Sequence, residues 1–121
     1  MKISLMFFEN AQSESPQSTY RFFLEVAKFA DTNGFYRLWL PERHFHPFGG
    51  NFSSPAVLAA ALATHTSRIR IGAGSVVLPL HHPVRVAEEW AIVDNLSGGR
   101  VDVSFTKGWN RSENVLSLIH I

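Results

Sequence analysis

Three prolines divide this chain. Ser15-Pro16 and Ser54-Pro55 each set a helix-capping residue before a proline, and His82-Pro83 opens a third stretch of the same kind. Proline is tolerated at a helix's first position because the N–H it lacks has no intrahelical partner there. Around these stretches run short apolar segments, from Ile3 to Phe8, Phe35 to Leu40, Arg68 to Leu78 and Arg100 to Phe105. Their length and their β-branched and aromatic content predict strands. The predicted order is β-α-β-α-β-α-β. Connections of that length join parallel strands by right-handed crossovers. Two architectures satisfy the pattern, an open doubly wound sheet or part of a (β/α)8 barrel.

The helices carry their own stop signals and faces. Tyr20, Phe22, Phe23, Val26, Phe29 and Ala30 recur at helical spacing, with Arg21, Glu25 and Lys28 opposite, and Asn33-Gly34 ends the run. Ala56 to His65 is rich in Ala and Leu. The third helix sets Val86, Trp90 and Val93 inward and Arg85, Glu88 and Glu89 outward, with Glu88 or Glu89 a possible anchor for Arg100, and Ser97-Gly98-Gly99 stops it. In the last strand Val101, Val103 and Phe105 alternate with Asp102 and Ser104.

Composition narrows the function classes. A net charge of +1 argues against nucleic acid or a membrane surface held by electrostatics. No apolar run has the length of a membrane span, and the N-terminus lacks a signal peptide's small-residue cleavage site. Zero cysteines exclude disulfides and thiolate chemistry and suit a reducing cytoplasm, the expected location. With 45% hydrophobic residues and ten Phe in 121, the chain is apolar for its length, and Val115 to Ile121 shows no closing signal. The expectation is therefore one piece of one domain.

In either architecture the active site lies at the C-terminal ends of the strands. Those ends are Phe7-Phe8-Glu9, Leu40 to His46, Ser75 to Leu78, and Phe105 to Asn110. Aromatics, histidines, a carboxylate, cations and the small residues Gly74, Ser75 and Gly108 meet there, a mixture suited to a flat ligand with polar edges. His44-Phe45-His46 would need a third ligand, such as Glu42, His81 or His82, to hold a metal, and no metal is expected. His44 reads instead as a backbone-bonding loop residue or as a proton donor beside a cofactor. His81-His82-Pro83 reads as the start of a helix. Gly72-Ala73-Gly74-Ser75 within a strand marks a bulge or a close backbone approach. Trp109, after Gly108, is the tryptophan expected in the pocket. A dinucleotide site of the Rossmann type is excluded, because Phe8-Glu9-Asn10-Ala11-Gln12 lacks the glycine triplet.

Three stretches resemble the bacterial luciferase-like flavin monooxygenases. They are Leu38-Trp39-Leu40-Pro41-Glu42-Arg43-His44-Phe45, Gly72 to Glu89, and Asp94-Asn95-Leu96-Ser97-Gly98-Gly99-Arg100-Val101. The Pro41-to-His46 and Ser104-to-Trp109 stretches are most similar to the branch associated with natural-product biosynthesis. The resemblance runs in order from Met1 to about Leu116. It implies the N-terminal half of a (β/α)8 barrel that uses reduced FMN and O2 to oxygenate a small organic substrate. A separate reductase supplies the flavin, and the full-length enzyme is expected to be an oligomer. It also implies a non-prolyl cis peptide within Gly74-Ser75-Val76, packed against the flavin. By the same resemblance Phe7 closes the pocket floor, and Thr106, Lys107 and Gly108 lie near flavin or substrate. Glu42 and Trp109 are then expected to line the substrate pocket. Where luciferase has Glu-His-His-Phe, this chain has Glu42-Arg43-His44-Phe45, so proton handling falls to His44 or Arg43 stabilises an anion.

A (β/α)8 barrel requires eight strands, and four are predicted here. Residues 1–116 are therefore expected to form a partial barrel inactive alone, and 117–121 a tail outside the family pattern. The alternatives are a non-catalytic half barrel, or a small α/β module, acting through association with another chain.

Overall fold

The computed structural model describes residues 1–8, 15–45, 48 and 51–109. His46, Asn110 and the tail 117–121 lie outside the described residues. The elements are β1 (Ser4–Met6), α1 (Pro16–Thr32), β2 (Arg37–Leu40), α2 (Pro55–His65), β3 (Arg70–Val77), a 3-10 turn (Leu78–Leu80), α3 (Pro83–Ser97) and β4 (Val101–Thr106). The expected order holds; β1, β2 and β3 are shorter than their apolar runs, and β4 is shifted by one residue.

Every helix starts at its proline. Ser15 caps α1 in extended backbone, its side chain accepting from Ser18 N at 3.1 Å. His82 does the same for α3, Nδ1 accepting from Val84 N. Ser54 precedes α2 without a side-chain cap bond. Gly34 (φ +77°) and Gly98 (φ +69°) take the left-handed conformation that closes α1 and α3.

The buried face of α1 corrects the expected stripe. Thr19, Phe23, Ala27, Ala30 and Asp31 are buried, whereas Phe22 and Phe29 are each 59% exposed. At about 100° per residue, Phe22 and Phe29 lie roughly 100–120° round the helix from Phe23, off the face that meets the sheet. Val86, Trp90 and Val93 are buried on α3 as expected. Arg100 is not anchored by Glu88 or Glu89. Its guanidinium donates to the carbonyls of Ala63, Thr66, Ile69 and Ser97 and to Thr66 Oγ1, while Glu89 pairs with Arg85.

The four strands form one parallel sheet in the order β1-β2-β3-β4. That order decides between the two architectures. Right-handed crossovers stepping one strand at a time in one direction put all three helices on the same face. A doubly wound sheet needs a reversal, and none occurs among the described strands; the arrangement is that of a barrel wall. Leu38, Leu40, Ile71 and Ala73 face the helices and are buried with Phe23, Leu62 and Trp90. Residues of opposite parity, Met6, Arg37, Trp39, Gly72 and Asp102, share the other face. There the Trp39 indole covers Gly72 so closely that a Cβ would come within 2.4 Å of its ring. Asp102 joins Arg37 (2.8 Å) and Arg70 (2.6 Å) on the same face. The Arg70 bond, aided by the Arg37 charge, outweighs burial and holds the Asp102 carboxyl below the usual carboxylate range.

Candidate functional site

Between β3 and β4 the register slips at Ala73/Val76, and the Gly74–Ser75 peptide within that slip is cis. The expected bulge therefore lies at the C-terminal end of β3. Gly74 and Ser75 are half-buried, and Ser104 Oγ braces the bulge from β4, 2.7 Å from the Ala73 carbonyl and 2.8 Å from Ser75 Oγ. Val76 is 2% exposed in the core, so only its backbone can serve a site on the other face.

The segment after β2 supplies the charged groups. Pro41 and Glu42 are buried directly beyond Leu40, and Arg43 N donates to Phe52 O at 2.8 Å, which fixes the turn. Glu42, expected on the pocket wall, has 0% exposure and lies beneath it. Its Oε1 is 2.7 Å from His44 Nε2 and 2.6 Å from His81 Nε2, and its Oε2 accepts from Val77 N at 2.9 Å. The Val77 N–H and two imidazole nitrogens thus surround a carboxyl group removed from water. Glu42, His44 and His81 are the residue types that ligate metals, and the three cluster closely enough to do so. Ligands around one zinc at 2.0–2.1 Å lie about 3.3 Å apart. The shorter spacings here are those of hydrogen bonds.

Above this carboxylate lies an aromatic rim. The Arg43 guanidinium is 5.2 Å from the Phe8 ring and 5.9 Å from the Trp109 ring, and Phe48 meets both Phe8 and Trp109. Arg43 Nη1 donates to Glu42 O, while Nε is buried without a partner among the described residues. Phe7 is not part of this rim. It packs among Phe22, Phe23 and Phe52 on the helix side, whereas the adjacent Phe8 meets Phe48. Past β4, Thr106 and Lys107 are exposed and Gly108 turns the chain at φ +83°, its N–H donating to Thr106 Oγ1. The structure thus gathers His44, Arg43 and Trp109 at one end of the sheet, the end at which β3 carries Gly74–Ser75 and β4 runs into Thr106–Gly108. It also brings in Phe8, Phe48 and His81, to which the sequence assigned no role in the site. His81 stood in the considered ligand set, but the adjacent proline directed attention to the helix start.

In a (β/α)8 fold the C-terminal strand ends are where active sites lie, and these polar groups stand at that end of the sheet. The luciferase-like monooxygenase family profile matches residues 1–117, and the chain belongs to that family. It is 34% identical over 115 residues to the oxygenase component of a flavin-dependent trigonelline monooxygenase from Acinetobacter baylyi, covering 89% of this chain and 30% of that one. Among solved structures it superposes on the monooxygenase RslO1 of Streptomyces bottropensis with a TM-score of 0.92 and 31% identity, covering 98% of this chain and 36% of that chain. It also matches the FMN-bound oxygenating constituent of 3,6-diketocamphane monooxygenase from Pseudomonas putida, with a TM-score of 0.89, 22% identity and coverage of 97% and 32%. The chain spans about a third of the length of these proteins.

Proposed function

We propose that this chain supplies the ring-side wall of a monooxygenase site that takes reduced FMN and O2 and oxygenates a small organic substrate. The observation that carries the reading is the Gly74–Ser75 bulge. It offers half-buried backbone at Gly74 and Ser75, edged by the Trp39 indole, at the same strand ends as the histidines. A planar ring can lie against such backbone. The Arg43 Nε, without a partner among the described residues, is a second fit, since a buried donor calls for an acceptor and flavins carry carbonyl oxygens and ring nitrogens at their edge. When bound, reduced FMN supplies the electrons that activate O2.

The chain's own residues orient and protect. Gly74, Ser75 and the Val76 backbone hold one face of the ring. Thr106, Lys107 and Gly108 border it or the substrate, and Phe8, Phe48 and Trp109 exclude water from the rim. His44 moves a proton at its ring nitrogen, and Arg43 stabilises negative charge. A relative named as an oxygenase component supports a separate reductase as partner. The substrates proposed are those of the natural-product branch, the compartment is the cytoplasm, and the working enzyme is an oligomer.

Because the chain covers about a third of related proteins, turnover is proposed to need strands beyond these four. Anaerobic titration of the chain with reduced FMN, read by tryptophan emission, should show saturable binding weakened by Arg43→Gln. Residues 1–109 fused to the later strands of a related barrel should consume O2 when a reductase and substrate are supplied. A well-folded fusion that neither binds FMN nor consumes O2 refutes the reading.

A second reading, association of a half barrel, is favoured by one observation. An apolar hollow of about 230 Å³ lined by Leu78, Val86, Trp90, Val103 and Phe105 flanks β4. Apolar surface of this kind promotes association. Size-exclusion chromatography at several concentrations tests it, and a monomer throughout would refute it.

A further inference from the structure

We propose that Glu42 is a positioning residue that fixes His44 and His81 as Nε2–H tautomers through one carboxylate oxygen and locks both to the end of β3 through the other. The functional meaning of this proposal rests on the flavin reading above; its geometry does not. A carboxylate only accepts, so each imidazole whose Nε2 lies 2.6–2.7 Å from Oε1 must donate from that nitrogen. Oε2 is committed to the Val77 amide, two residues beyond Ser75. One fully buried side chain thus joins the segment after β2, the bulged end of β3 and the residue after the 3-10 turn.

Two consequences follow. The first concerns which atom does the chemistry. With Nε2–H held by Glu42, the remaining acceptor on His44 is Nδ1, so His44 takes up a proton there and nowhere else. His81 shares the same oxygen and acts on His44 through it, without touching the reacting groups. The second consequence is that no neutral isostere can replace Glu42. A glutamine that turns its oxygen to the histidines must point its NH2 at the Val77 N–H, donor against donor. Turned the other way, it points NH2 at two ring nitrogens that then have to give up their protons.

The test uses the 15N-labelled full chain and two-bond 1H–15N imidazole spectra near neutral pH, with His44 and His81 assigned from His44→Asn and His81→Asn. Both rings should show Nε2–H with Nδ1 bare, by roughly tenfold or more over the other tautomer. Glu42→Gln should either abolish that preference at one or both rings or release the Val77 amide to exchange, whereas a merely structural carboxylate would lower stability and leave both alone. His81→Asn should keep His44 in its Nε2–H form. An Nδ1–H signal from either ring in the wild-type chain overturns the proposal, and this arm does not depend on whether Glu42→Gln folds. Unchanged tautomers together with an unchanged Val77 amide in Glu42→Gln overturn it as well, as does stoichiometric Zn2+ drawing both rings onto the metal. Failure of reduced FMN to bind, with both tautomers locked, would refute the flavin reading and leave the clamp standing.

Discussion

Asp31→Ala tests how the bulged strand is held in place. Asp31 ends the buried face of α1 and is 7% exposed. Its Oδ1 accepts from Arg68 N (2.7 Å) and Ile69 N (2.6 Å), and its Oδ2 from Ser67 N (3.0 Å) and Ser67 Oγ (3.2 Å). These bonds shape the turn that launches β3, so they set the height at which Gly74–Ser75 stands. Alanine removes all four. Ser67 and Arg68 are exposed, so water can replace part of what their amides lose. Ile69 is 1% exposed, so its N–H is left orphaned, at about 1–3 kcal/mol. The two wetter amides add about 0.5–1 kcal/mol each. Removing an anion from the C-terminal turn of α1 returns about 0.3–1 kcal/mol through the helix dipole. The net loss should be about 2–4 kcal/mol, read as a lower urea midpoint at unchanged slope. Asp31→Asn retains one acceptor oxygen and should lose about half as much. The loss should also depend on pH. Burial raises the Asp31 carboxyl, but the amides of Ser67, Ile69 and Arg68 and the Ser67 hydroxyl outweigh it and leave a net lowering. A carboxyl lowered by folding stabilises above its unfolded value, and that contribution fades as pH falls below about 4 and through the folded value. The gap between wild type and Asp31→Asn should therefore narrow in acid. A loss under about 0.5 kcal/mol for Asp31→Ala, or a gap to Asp31→Asn that is the same at pH 7 and pH 3, would refute the reasoning.

Three more predictions concern the sheet. Gly72→Ala would bring a Cβ to 2.4 Å from Trp39 Cε3 and 3.0 Å from Arg37 Cδ, and the indole must move; the expected loss is about 1–3 kcal/mol by urea denaturation. Arg100→Lys exchanges a planar fork bonded to four carbonyls and a hydroxyl for a single ammonium, and should lower stability by about 2–3 kcal/mol in the same assay. Asp102→Asn should lose about 1 kcal/mol at neutral pH, because the triad is partly solvated. Arg70 and Arg37 hold this carboxyl low, so its contribution too is present above about pH 4 and fades below, and the variant's acid limb should be flatter in a circular dichroism titration.

What was legible in the sequence was local. Each helix start rests on a proline whose effect reaches one turn, and Gly34 and Gly98 act within their own caps. The bulge was legible because two glycines in a strand have few other uses. The parity of β1 was not. A strand's faces alternate residue by residue, and Phe7 and Phe8 are equally apolar, so only Trp39 pairing with Met6 settles which ring turns to the helices. Phe22 and Phe29 fell outside the buried face because periodicity marks an apolar stripe wider than the neighbours can cover. Glu42 and His81 stand 39 residues apart in sequence, and no local rule connects them. The same holds for Arg37, Arg70 and Asp102, which only the sheet's register brings together.

The face that carries no helix is layered along the strands, and the layering confines chemistry to one end. Toward the N-terminal ends, Asp102 joins Arg37 and Arg70, and Asp102 has already spent both oxygens on them. In the next layer Trp39 lies across Gly72 and Gly74, with the Arg37 guanidinium 4.6 Å from its ring. That stack fills the space glycine leaves and puts a large apolar side chain between the charges below and the bulge above. Only beyond it, where β2 passes into Glu42 and β3 into Val77, do titratable groups recur beside exposed aromatics and half-buried backbone. The two glycines thus admit the same indole, a Cβ coming within 2.4 Å of the Trp39 ring at Gly72 and within 3.1 Å at Gly74. A side chain at either position would displace Trp39 from this layer.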